Sequence, residues 1–114
     1  MKNSKDLLLK SGFSKRYQGF QYLALCVELA AEDDSRLCAL VKEIYGPVAS
    51  KYQVPYRSIE RDIRTARDYA WHRGGKNFLE QISGGIYAEA PPVGELIEIL
   101  ALHLKESEDL EDAA

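Results

Sequence analysis

Apolar residues recur at three- and four-residue intervals along most of this 114-residue chain, and Gly, Pro or polar runs interrupt them. A short first helix is predicted over residues 5–10, ending near Gly12. "SKRYQGF" reads as a turn, and a second helix over about residues 20–32 sets Leu23, Val27 and Ala30 or Ala31 at helical spacing. "EDDS" breaks it and offers Asp34 or Ser35 as the N-cap of a third helix. That helix carries Leu37, Leu40, Val41 and Ile44 as far as Gly46-Pro47. Proline inside a helix loses a hydrogen bond and clashes with the preceding turn, so a kink or break is expected there. Pro47 then restarts a turn through Val48, Ala49 and Tyr52.

The clearest pattern lies between Pro55 and Arg73. Pro55 suits a first helical position, where its missing N–H leaves nothing unpaired. Ile59, Ile63, Ala66 and Ala70 fall within about 60° of one another at 100° per residue, a single narrow buried stripe. Arg57, Arg61, Arg64, Asp68 and His72 fall on the opposite side, and Gly74-Gly75 supplies the stop. Beyond it, "NFLEQI" reads as a short helix and "SGGIYAEAPP" as a loop or minimal two-stranded ribbon. A last helix over residues 95–105 buries Leu96, Ile97, Leu100 and Leu104. Strand signals are weak throughout. The prediction is an all-α fold, a compact five- to six-helix domain over residues 1–105, followed by an acidic tail over 106–114.

The charge distribution sharpens this picture. Net charge is −3 and the pI about 5.4, yet five of the seven arginines lie between Arg57 and Arg73. Residues 51–76 hold seven bases against three acids, a local +4, while residues 105–114 hold one base and five acids, a local −4. A low global pI therefore does not exclude a nucleic-acid partner. A helix pair with a tight joint, whose second member buries one stripe and exposes bases, is the helix-turn-helix arrangement. Ala49 is small where the two helices would cross, Val54 is the apolar residue of the turn, and Ile59 and Ile63 anchor the second helix. Gln53 stands where glycine often takes the turn, and Ile63 comes one residue later than the usual bacterial spacing. A solvated face held by i,i+4 pairs such as Arg64–Asp68 explains the same arginine row, so both readings stand at this level.

Other chemistry finds little support. Cys26 and Cys38 match no ligand or redox spacing and read as two free core thiols. His72 and His103 lie on different helices with no carboxylate or cysteine cluster, and no phosphate-binding glycine loop is present. No enzyme, metal or cofactor is expected. Trp71, Tyr45 and Tyr52 read as core anchors. No secretory signal or membrane-length apolar run occurs, so the expected location is cytoplasmic and no membrane partner is expected.

Three blocks carry a resemblance to a known family. "SGFSKRYQGFQYL" is similar to its "KGYxYL" opening of the second helix. "EIYGPVASKYQVPYRSIERDIRTARDYAWHRGG" is similar to its "YPxIAxxF…VERAIRHAIExAWxRG". There Tyr45, Pro47 (displaced by one), Ala49, Ile59, Glu60, Arg61, Ile63, Arg64, Ala66, Ala70, Trp71, Arg73 and Gly74 fall into place. "GELIEILALHLK" matches the closing helix, mostly through leucine periodicity. Over residues 7–105 the chain resembles the C-terminal DNA-binding effector domain of the sporulation initiation regulator (stage zero sporulation protein A) family.

The resemblance implies a six-helix fold whose "VERAIR" helix, here about residues 55–73, enters the major groove of double-stranded DNA. It implies that Glu60, Arg61 and Arg64 face DNA, flanked by Arg57, Ser58 and Thr65, in a bacterial transcription regulator. A dimer on DNA is a possible assembly. Arginine's fork suits guanine O6 and N7, and glutamate can accept from cytosine N4. The chain departs from the pattern in Asp62, where the family has a small residue, in Thr65, where it has histidine, and in a shorter loop after Gly85. It begins with methionine just before the domain, so a stand-alone effector without a receiver domain is expected. The acidic tail reads as a solvated end, a competitor for the arginine face, or a contact for RNA polymerase. The alternative function is a helical protein-interaction module that has lost DNA binding.

Overall fold

Fifteen residues, Gln18–Glu32, form the helix around which the others are arranged. In the computed structural model, which describes residues 4–113, it is the second of six α-helices. They are α1 (Ser4–Lys10), α2 (Gln18–Glu32), α3 (Gly46–Tyr52), α4 (Tyr56–Ala70), α5 (Lys76–Ser83) and α6 (Val93–Ala113). No strand occurs among the described residues, and "SGGIYAEAPP" is loop once α5 has ended. The fold is all-α.

α2 is buried on most of its circumference, through Phe20, Tyr22, Leu23, Ala24, Cys26, Val27 and Ala30, because α1, α4 and α6 all pack against it. The α2–α4 contact is a backbone contact. A Cβ at Gly19 would lie 2.1 Å from the Asp62 carbonyl oxygen, so only glycine lets the helices meet there. α4 completes the seam with Ile59, Ile63, Ala66 and Ala70, each no more than 1% exposed. Leu96, Ile97, Leu100, Ala101 and Leu104 of α6 close the core from the other side.

The region before α3 differs from its prediction. Residues 34–45 are not one α-helix: a 3-10 turn (Asp34–Ala39) leads through Leu40 into a wide π turn (Val41–Tyr45) that runs directly into α3. Gly46 N–H donates five residues back to Val41 O, and Pro47 sits in the first turn of α3, where its missing N–H does least harm. The changed winding rotates Val41 out of the predicted core stripe, to 50% exposure, while Ile44 stays fully buried and Leu37 and Leu40 are half-buried. The N-cap is Asp33 rather than Asp34 or Ser35: its Oδ1 accepts from Ser35 N at 3.0 Å and from the Ser35 hydroxyl at 2.6 Å. Cys38 in this segment is exposed, against the expectation of a core thiol, whereas Cys26 is fully buried.

Other boundaries moved less. α2 begins two residues earlier than predicted, and Pro55 is extended and precedes α4 instead of opening it. α4 ends through Trp71 and His72 at Arg73 and Gly74, whose φ of 95° makes the predicted glycine stop. Trp71 is half-buried and stands edge-on to Tyr87, with ring centroids 6.1 Å apart. The last helix does not end at Lys105 but continues to Ala113, since no Gly or Pro follows to stop it.

Between α3 and α4 the chain turns within three residues. Gln53 adopts a left-handed conformation (φ 56°, ψ 48°), and its N–H and that of Val54 both return to the end of α3, the latter to Ala49 O at 3.1 Å. A side chain in that region costs about 1–2 kcal/mol relative to the right-handed basin. Part of that cost is recovered by glycine, so Gln53→Gly is expected to raise stability by up to about 1 kcal/mol in a denaturant melt. Burial pushes the Cys26 thiol up to about 12. A chromogenic disulfide reagent at neutral pH should therefore titrate Cys38 alone in the native protein and both thiols after unfolding.

Candidate nucleic-acid interface

The tight α3–α4 joint and the buried stripe of α4 together make a helix-turn-helix whose second helix presents its far side to solvent. Arg57, Arg61 and Arg64 are all exposed there, one helical turn apart in sequence. Ser58 and Glu60 are half-buried beside them, and Thr65 is exposed with its hydroxyl donating to Arg61 O at 3.2 Å. All six residues named from the sequence thus lie on or beside the solvent face of one helix.

Their commitments differ. Arg61 is 67% exposed and engages through Nε, which donates to Asp62 Oδ1 at 3.2 Å. Both terminal amino groups of its guanidinium are without a partner among the described residues. Arg64 donates from Nε and Nη2 to Glu60 Oε1, at 3.0 and 2.5 Å. Its i,i+4 partner is therefore Glu60 and not Asp68, which pairs instead with Arg67. Arg57 has no ion-pair partner among the described residues. Such exposed pairs are worth about 0–1 kcal/mol to the fold, so separating one in a complex costs the fold little.

The other two arginines of the basic stretch have partners of another kind. Arg67 is only 15% exposed: Nε and Nη2 hold Asp68 while Nη1 donates to Pro91 O at 2.8 Å, tying the loop before α6 to α4. Arg73 lies over the Tyr69 ring at 3.8 Å. Counting bases along the sequence cannot separate Arg67 from the exposed arginines, because its burial depends on the loop that packs beside it.

Two further residues border the face. Val41 and Tyr56, the latter 45% exposed, line a shallow open hollow with Arg57, Glu60, Arg61 and Arg64. Tyr45 forms its floor, and burial raises the Tyr45 hydroxyl well above the usual tyrosine range, so it stays a neutral donor. Val41 could not be read as part of this surface from a straight-helix pattern. No group of metal-ligating side chains occurs among the described residues, and no described helix is long and apolar enough to cross a membrane.

Comparison with known families gives a match to the family described as sporulation initiation factor Spo0A C terminal, over residues 5–104. The matched span runs from α1 through both helices of the motif to Leu104 in α6. Since it takes in nearly the whole chain, the protein belongs to the Spo0A C-terminal family of DNA-binding effector domains, which regulate transcription in sporulation.

Proposed function

We propose that α4 is the recognition helix, placed in the major groove, and that the 114-residue chain is sufficient for sequence-specific binding to duplex DNA. What carries the reading is the sidedness of α4: a fully buried Ile59–Ile63–Ala66–Ala70 stripe backs onto α2, and Arg57, Arg61 and Arg64 stand opposite it. In this reading Arg61 makes the principal base contact, because its two free amino groups match guanine O6 and N7. Glu60 and Arg64 read or orient as a pair, and Arg57, Ser58 and Thr65 contact the backbone at the edges. The stoichiometry of the complex on a selected operator distinguishes one bound copy from two.

Reading and folding separate cleanly in two variants. Arg61→Ala is expected to leave stability within about 0.5 kcal/mol, since its side chain is exposed and alanine is a good helix former. The same change should cost about 1–3 kcal/mol of specific binding and relax the preference at one base position. Ile63→Ala should do the reverse, costing about 2–5 kcal/mol of stability through the core. Thermal melts and titrations against a selected operator check both. An Arg61→Ala protein that melts early, or that prefers the same sequences as the parent, sinks the assignment.

Duplex affinity should also fall steeply with salt, log K declining by about 0.9 per unit log[salt] for each phosphate neutralised. Failure to bind any duplex at low salt would turn the arginine face over to a protein partner instead.

A further inference from the structure

The segment between α1 and α2 is held along one flank of α4 by two backbone contacts. At one end is Gly12 (φ 87°), where a Cβ would lie 2.4 Å from Arg73 O. At the other is Gly19, against Asp62 O. The chain between them must therefore run beside α4 from Arg73 back to Asp62, and Tyr17 marks the middle of the path, its ring 4.8 Å from that of Tyr69. Lys15 and Arg16 lie on this stretch, and both are exposed.

Arg73 sits at the same edge. Its guanidinium rests over the Tyr69 ring, 3.8 Å from the centroid, and Nη1 donates to Tyr69 O at 3.4 Å. Among the described residues none of the three bases has an ion-pair partner. Asp62, whose carbonyl meets Gly19 on this flank of α4, has its carboxylate paired with Arg61, and the first turn of α2 carries no acid. The result is a three-cation edge, uncompensated by carboxylates, fastened along the side of the helix that bears the arginine row.

An α-helix with its side chains is about 10–12 Å across, and the major groove of B-DNA is about 12 Å wide. Whatever is packed on the flank of a helix lying in that groove faces a phosphate wall. We infer that Lys15, Arg16 and Arg73 form a second contact surface for duplex DNA, gripping the phosphates of the strand that borders the α2 side of α4. This rests on the α4 reading above. The surface carries no base-reading geometry, so it adds affinity and register without adding sequence preference.

The test is the salt dependence of duplex binding by the full chain, measured on a selected operator and on a random duplex. Lys15→Gln, Arg16→Gln and Arg73→Gln, singly and combined, should each make the slope of log K against log[salt] shallower, by about 0.9 for every phosphate that is no longer neutralised. Both duplexes should lose affinity by the same factor, and melting temperatures should stay within the parent's range. Lys105→Gln is the control. It removes one positive charge beside Ala30 and Asp34, at the far end of α2 from Gln18, about 20 Å away. A slope unchanged in the triple variant, or lowered equally by Lys105→Gln, overturns this inference and leaves the α4 reading intact. A loss confined to the selected operator also overturns it, because the edge would then be reading sequence. A parent that binds no duplex overturns both.

Discussion

The arrangement rests on how closely the backbones of α2 and α4 approach at Gly19. With no side chain between them at that point, Ile59, Ile63, Ala66 and Ala70 seat α4 against the buried side chains of α2. A helix seated that deeply by one narrow stripe has the rest of its circumference left for other work. The flanking segments are then placed by the same seam: the α1–α2 connection on one side, and the wide turn with Val41 and Tyr45 on the other. Orientation of the exposed face is thus a by-product of core packing, and core substitutions would disturb it before they exposed any new surface.

Much of this was legible in the sequence. The four-residue stripe of α4, its glycine stop and the helical class follow from periodicity and punctuation, which depend only on local geometry. Residues 34–45 were not legible, because a 3-10 turn followed by a π turn has no constant angular step, and a pattern read at 100° per residue misplaces Val41. The capping shift to Asp33 has the same character: three adjacent polar residues, Asp33, Asp34 and Ser35, can each cap, and tertiary packing selects among them.

For the interface, the residue types were readable and their employment was not. Arg57, Arg61 and Arg64 are exposed as their spacing requires. Arg67, equally basic in sequence, lies among packing partners, since a loop twenty-four positions away places the Pro91 carbonyl within its reach. The role of a cation on a helix depends on what the rest of the chain lays against it, and that is long-range information.

The Glu60–Arg64 pair bears on selectivity. A guanidinium already satisfied by its own carboxylate gains little from an arbitrary phosphate, since one anion merely replaces another and leaves Glu60 facing negative charge. Only a surface offering an acceptor to Arg64 and a donor to Glu60 together repays separating them, and neighbouring guanine and cytosine edges have that pattern. With α4 in the groove as proposed, self-pairing of this kind would lower the attraction for DNA in general more than for the right sequence. It would widen the gap between specific and non-specific binding by weakening the latter.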